Sequence, residues 1–223
     1  NKAACNMYLP YNEKYGIHPQ DDSFLDKELW DFENTPEEKH PLLLHYHPLV
    51  LYRHQLCKQA DVVLALFLQS HKFSLEQKRR DFDYYEKITT HDSSLSTCIF
   101  SIVANDIGYH EKAYDYFIKT ARMDLDDYNG NTRHGIHTAN MAGSFLSIVK
   151  GYAGMRVYED VLCFHPYIHP NWEKYSFKIT YRGSIVKLTI DGKGTVYELV
   201  EGKSIKITHR GKDFVLKDRL ILK

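Results

Sequence analysis

Apolar residues change their spacing along this chain, and each change predicts a different kind of element. In residues 1–32, Pro10, Gly16 and Pro19 break every candidate period, so a loop-rich entry is expected, with LDKELWDF as a short amphipathic or extended piece. Residues 34–47 carry Pro36, Pro41 and dense charge, and read as an exposed connection in which Pro36-Glu37-Glu38 opens one helical turn. The run LCKQADVVLALFLQS is apolar on nearly every side. Leu56, Ala60, Val63, Leu64, Phe67 and Leu68 stand at helical spacing in it, predicting a buried inner helix opened by Lys58-Gln59. Ser74 precedes Gln77 by one capping-box interval, and Leu75, Phe82 and Tyr85 share a face, so residues 74–88 should form an outer helix. Residues 94–105 are mostly apolar and 111–123 mixed, with Gly108 between them. Buried and amphipathic helices thus alternate, as antiparallel pairs in two layers would. Past a polar loop, Met141, Phe145, Ile148 and Val149 mark one face of a further helix.

After Arg156 the period drops to two. VLCFHPYI, WEKYSFKITYRG, SIVKLTIDG, TVYELVEG, SIKITHRG and DFVLK alternate apolar with polar positions, separated by turns such as Asp191-Gly192 and Arg210-Gly211. The chain is therefore expected to be α+β. Helices should be confined to about Pro48–Gly151, within a first domain of residues 1–157, and a second, antiparallel β-domain should cover residues 158–223.

Composition narrows the function. Acidic and basic residues number 29 each, which argues against nucleic acid or a membrane surface as partner and for a small, neutral one. The 17 Tyr and 13 His residues suit a carbohydrate or other polar-ligand surface. Cys5, Cys57, Cys98 and Cys163 are too scattered for a metal knuckle or a dense disulfide frame, so a reducing cytoplasm is expected. No apolar run has the length of a membrane span, and NKAACNMYLP lacks the layout of a signal peptide. The absence of an initiating Met suggests a start inside a longer polypeptide.

Chemistry is expected where the loop DLDDYNGNTRHGI runs into a helix at His137. Asn129-Gly130-Asn131 favours turns, Gly135 can supply a positive φ, and Ala139, Ala142 and Gly143 are small enough for close approach. Unpaired N–H groups at the helix start, with His137 and Thr138 beside them, can hold an oxyanion or phosphate. An ordinary capped helix with a solvated His fits the same residues. Lys58, leading an apolar run, is either a surface charge or a group facing a cavity. The run Lys78-Arg79-Arg80-Asp81 reads as a solvated face. His165 and His169, between Pro166 and Pro170, are off any helix, so a metal pair is not expected. Tyr11 and Trp30 could stack on a sugar or anchor packing, and neither is assigned.

LDDYNGNT, GIHTANMAGS and VKGYAGMR, in that order, resemble the C-terminal signature of glycoside hydrolase family 65, the disaccharide phosphorylases that include maltose, kojibiose and trehalose enzymes. The maltose-phosphorylase-like branch looks nearest. LPYNEKYGIHPQDDSFLDKELWDF resembles the family's segment after its catalytic region, so the likeness reaches the first ten residues. The resemblance implies the last several helices of an (α/α)6 barrel followed by a small β-sandwich with no catalytic set of its own. It implies that Lys58 and Gln59, in KQAD, bond hydroxyls of the glucosyl unit beside the scissile bond, while Asp61 holds neighbouring loops. It also implies a phosphate contact from His137, rimmed by Thr138, Gly143 and Ser144.

The activity so implied is inverting cleavage of a maltose-like α-glucosidic disaccharide by inorganic phosphate, giving β-glucose 1-phosphate and glucose. Phosphate is already a nucleophile and replaces the second carboxylate of an inverting hydrolase. No metal or organic cofactor is implied. The partners are the disaccharide and phosphate, with a homodimer in the full-length protein. The family's general-acid Glu belongs upstream of Asn1, and Glu28, Glu33 and Asp126 do not match its motif. No catalytic residue is therefore assigned, and the chain alone is expected to be inactive. Two other readings stay open: a hydrolase of the same family, using water and a further carboxylate, and a non-catalytic carbohydrate-binding or assembly module.

Overall fold

The chain enters through α1 (Lys2–Cys5), a single helical turn lying outside the span where helices were expected. In the computed structural model, which describes residues 1–223 apart from the side chain of Ala4, a 3-10 turn at Phe24–Asp26 leads into β1 (Glu28–Leu29). Further 3-10 turns at Glu37–Lys39 and Leu42–Leu44 precede α2 (Pro48–Leu51) and β2 (His54–Gln55). β1 and β2 pair in parallel, and Gln55 Nε2 donates to the Lys27 carbonyl at 2.5 Å, so LDKELWDF ends extended rather than helical. Trp30 is a packing anchor, edge-on to Tyr46 and His54 with its N–H donated to Thr35.

The helical body consists of α3 (Asp61–Leu68), α4 (Leu75–Glu86), α5 (Ser96–Asp106), α6 (His110–Arg122) and α7 (Thr138–Leu146). α5 is its centre, buried from Ser96 through Asn105, as its mostly apolar sequence requires. α6 closes on it through the Thr97–Thr120 hydroxyl pair at 2.8 Å and the Ser101 hydroxyl donating to the Ala113 carbonyl at 2.8 Å.

Four sequence expectations need correcting here. α3 starts only at Asp61, leaving Lys58-Gln59 in the segment before it, and just Val63 and Leu66 of this helix are buried, with Leu68 61% exposed. Packing explains this: α4 and α5 cover one side of α3 and leave the other bare. Ser74 caps α4 by accepting from the Gln77 N–H at 3.1 Å, but the Gln77 side chain turns to the Gly16 carbonyl and Asp81 instead of completing the box. Lys78 and Asp81 are not on a solvated face. Asp81 is wholly buried, accepting from the His18 backbone and ring, and Lys78 is buried beside Ser70 and Asp106. Finally, α7 packs with Asn140 and Gly143, followed by Ser147 just past its end, while Met141 and Phe145 stay about half exposed. The small face wins because it admits closer contact: a Cβ on Gly143 would sit 2.9 Å from Cys98 Cβ and Sγ on α5.

α7 runs on into a π-helical turn, Ser147–Tyr152, whose Val149, with the following Ala153, enters the core of the β-domain. There β3 (Arg156–Tyr158), β4 (Val161–Phe164), β5 (Lys174–Tyr181), β6 (Ser184–Asp191), β7 (Gly194–Glu201), β8 (Ile205–His209), β9 (Lys212–Leu216) and β10 (Arg219–Leu222) form two four-stranded sheets, ordered β10-β7-β6-β5 and β3-β4-β8-β9. Their inner faces bury Leu162, Phe164, Val186, Leu188, Tyr197 and Ile207, following the period-two pattern. Pairing is antiparallel except between β4 and β8, which run parallel, a departure from the expected all-antiparallel domain. The long path between these two strands, through β5, β6 and β7 of the opposite sheet, permits it.

Candidate functional site

Hydrogen bonds between helix ends fix which parts of the sequence share an end of the helical body. Cys57, just before α3, bonds Ile88 through its N–H at 2.8 Å and Thr90 through its carbonyl at 2.9 Å, which brings the start of α3 to the segment between α4 and α5. The Thr97–Thr120 pair sets the last turns of α6 beside the first turn of α5. Asn140 Nδ2 donates to the Thr120 carbonyl at 2.6 Å, adding the start of α7. The starts of α3, α5 and α7 therefore lie at one end, with Lys58-Gln59, the loop 90–95 and His137 all belonging to it. The other end carries Ser70, Asp106 and Gly151, next to the β-domain.

His137 is the residue before the first turn of α7, and it is held from two sides by one carboxylate. Its ring Nδ1 lies 2.6 Å from Asp124 Oδ1, and its backbone N–H donates to Asp124 Oδ2 at 2.9 Å. A carboxylate only accepts, so Nδ1 carries the hydrogen, and Nε2 is the ring atom free to meet a ligand. The His137 bonds, side chain first and backbone second, hold the Asp124 carboxyl below its usual range. Asp124 was missed by the sequence reading although it heads the motif; a carboxylate thirteen residues before a His gives no local pattern to notice. Gly135 (φ 122°) turns the chain between them, as its sequence position suggested.

The remaining expected residues scatter. Thr138 is exposed in the first turn beside His137, while Ser144 is half-buried and donates its hydroxyl to the Asn140 carbonyl at 3.2 Å. Gly143 does not reach a rim; its open side is spent against Cys98. Lys58 is exposed, and Gln59 Nε2 donates to Asp61 Oδ1 at 3.3 Å. Asp61 also accepts from Gln20 Nε2 at 3.2 Å, and Gln20 Oε1 accepts from the Cys57 thiol at 2.7 Å. One carboxylate thus joins the Gln20 loop to the Lys58-Gln59 segment. Gln20, in HPQD, is a second residue the sequence reading left without a role. Burial pushes the Cys57 thiol up to about 12, so it packs and does not act as a nucleophile. Of the carboxylates considered, Asp126 is paired with Arg122 at 2.6–2.7 Å.

His165 and His169 separate. His169 is buried and stacks on Tyr114 at 4.0 Å, while His165 borders a cleft beside the β-domain. Among the described residues, no three His, Cys, Asp or Glu side chains are grouped for a metal ion, and no helix is long and apolar enough to cross a membrane.

Residues 1–146 match the glycosyl hydrolase family 65 central catalytic domain and residues 155–216 the family's C-terminal domain. The chain belongs to glycosyl hydrolase family 65. An alpha,alpha-trehalose phosphorylase from Geobacillus stearothermophilus is 54% identical over 211 residues, covering 95% of this chain and 28% of that protein. A maltose phosphorylase from Bacillus subtilis (strain 168) is 38% identical over 214 residues, 96% of this chain and 28% of its own length. A solved structure described as a putative kojibiose phosphorylase from human microbiome superimposes with a TM-score of 0.91 at 33% identity, over 99% of this chain and 29% of that one. This chain therefore spans under a third of the length of the relatives it matches.

Proposed function

We propose that this chain supplies the phosphate contact and part of the glucosyl grip of an inverting disaccharide phosphorylase that splits an α-glucosidic disaccharide with inorganic phosphate into β-glucose 1-phosphate and glucose. The Asp124–His137 pair at the start of α7 carries the reading. A His fixed in one tautomer by a carboxylate presents a defined ring nitrogen, next to the free N–H groups of a helix start, and that combination suits an oxyanion nucleophile. Lys58 and Gln59, at the same end, would hold the hydroxyls of the glucosyl unit under attack, with Asp61 and Gln20 bracing them. Thr138 and Ser144 would line the approach. In this reading α3, α5 and α7 are inner helices and α4 and α6 outer ones of an (α/α)6 barrel, for which the shared end and the central burial of α5 argue. We divide the chain after residue 157, within β3, into the barrel portion and a β-sandwich. The general acid would come from the polypeptide preceding Asn1, with phosphate as the co-substrate and no cofactor.

For the disaccharide we favour α,α-trehalose, because identity to the trehalose enzyme is 54% against 38% for the maltose enzyme; maltose, suggested by the motifs, is the second reading. The test is the full-length protein assayed on trehalose, maltose and kojibiose with and without phosphate. Phosphate-dependent release of glucose 1-phosphate supports the reading, and trehalose should be the fastest. Cleavage that proceeds equally well without phosphate would establish a hydrolase instead.

A further inference from the structure

At the far end of α5, away from His137, a cleft of about 710 Å³ opens between the helical body and the β-domain. α5 has 11 residues, so its length separates the two places by roughly 16 Å. The charge of the cleft is one-sided. Among the described residues, Lys78, Arg79, Arg156 and Arg210 border it with Asp106 as the sole carboxylate. That carboxylate is already shared, both its oxygens accepting from Arg156 Nη2 at 2.9 and 2.7 Å and one of them 3.6 Å from Lys78 Nζ. Arg79 and Arg210 bond only backbone carbonyls, those of Ile107 and Pro166, at 2.9–3.1 Å. Neither has an acidic partner within 4.0 Å among the described residues. Arg156, itself nine-tenths buried, lies over the Phe67 ring and spends its Nη groups on Asp106 and backbone carbonyls, so Arg79 and Arg210 are the cations open to a ligand. Four cations around one carboxylate in a cleft walled by protein produce a focused positive potential, the condition under which a dianion binds.

The rest of the lining sets the size and nature of the ligand. His110 and His165 also border the cleft. Burial holds both imidazoles below their usual range, so at neutral pH they are uncharged. His110 gives its Nδ1–H to Asn105 Oδ1 at 3.3 Å, which leaves His165 as the imidazole able to donate into the cleft. Tyr158 and Tyr167 supply apolar wall. The volume falls in the usual range for small-molecule pockets, roughly 300–1,000 Å³, and exceeds what a bare inorganic anion fills.

We propose that this cleft is a binding site for a sugar-sized phosphate monoester, with Arg79 and Arg210 as the phosphate clamp and the Tyr-lined wall receiving the rest of the molecule. The site is independent of the proposed phosphorolysis and stands whether or not that reading holds. The experiment titrates glucose 6-phosphate, with glucose as the neutral control, into the full chain and follows the imidazole NMR signals of its histidines. Saturable movement of the His110 and His165 signals by glucose 6-phosphate but not glucose is expected. In Arg79→Gln/Arg210→Gln, affinity should fall at least about tenfold, as the loss of two charge-assisted hydrogen bonds requires. In His137→Ala it should stay within about twofold, since that residue lies at the opposite end. Should the double variant fail to fold, the wild-type signals decide alone. The proposal is overturned if His110 and His165 do not respond, if glucose moves them equally, or if affinity is lost in His137→Ala and kept in the arginine variant.

Discussion

At the residue scale, the pairing of Asp124 with His137 makes a prediction that separates ligand binding from helix capping. In the full-length protein, His137→Ala should remove a hydrogen bond worth about 1.5–3 kcal/mol from phosphate binding or alignment, raising phosphate KM or lowering kcat. Lys58→Ala should instead weaken disaccharide use and spare phosphate. Unchanged phosphate kinetics in a folded His137→Ala protein would return the loop to a structural role. Asp124→Asn should shift phosphate KM in the same direction by a smaller amount, because the imidazole survives but loses its fixed tautomer.

His91 gives a second residue-scale prediction. It adopts φ 57°, stacks edge-on to Phe100, and burial, with Lys119 adding to it, pushes its pKa down from 6.5 to about 4. The folded state therefore resists protonation that the unfolded chain accepts. Stability from this residue is fully present above pH 6.5 and declines as pH falls towards 4, by on the order of 3 kcal/mol across the window. Urea unfolding at pH 7 and pH 5 should show about 2 kcal/mol of this loss, and His91→Asn, which tolerates the positive φ, should flatten it.

At the element scale, contacts rather than periodicity decide which faces are buried. Gly143→Ala should push α7 off α5, since its new Cβ would meet Cys98 at 2.9 Å, and cost about 1–3 kcal/mol by denaturant unfolding. Arg156→Ala should cost on the order of 3 kcal/mol, because it breaks the buried pair that ties β3 to the end of α5. Much of the element order was readable from sequence: the alternation of α4, α5 and α6, the hairpin turns at Asp191 and Arg210, and the Ser74 cap are local signals. What sequence hid was non-local. Lys78 and Asp81 read as solvent-facing charges because their partners, Asp106 and His18, are 28 and 63 positions away. The burial of Asn140 and Ser147 in place of Met141 and Phe145 depends on what α5 and α6 present. The candidate site divides the same way: His137 and Lys58-Gln59 were proposed from motifs, whereas Asp124 and Gln20 became visible only when the fold brought them to those residues.

At the scale of the whole molecule, Leu68, Met141 and Phe145 are between 49% and 61% exposed on helices that otherwise pack well. Uncovered apolar faces of this kind favour association, so the isolated chain should sediment as more than a monomer. It should also show no measurable phosphorolysis of maltose or trehalose, and turnover traceable to the purified chain would contradict the assignment of the general acid to preceding polypeptide.

The π-helical turn at Ser147–Tyr152 gives the molecule a hinge of phase. Upstream of it Asn140 and Gly143 face inward, towards α5 and α6; within it and just after it, Val149 and Ala153 enter the sandwich core. A π-turn amounts to one residue inserted into an α-helix. Deleting a single residue there would restore ordinary winding and rotate everything that follows by about 100°. Arg156 would swing away from Asp106, and Ala153 would leave its place in the sandwich core. The spatial address of the second domain is thus written in one surplus residue, so deletions and insertions across 147–152 should be far less tolerated than substitutions at the same positions.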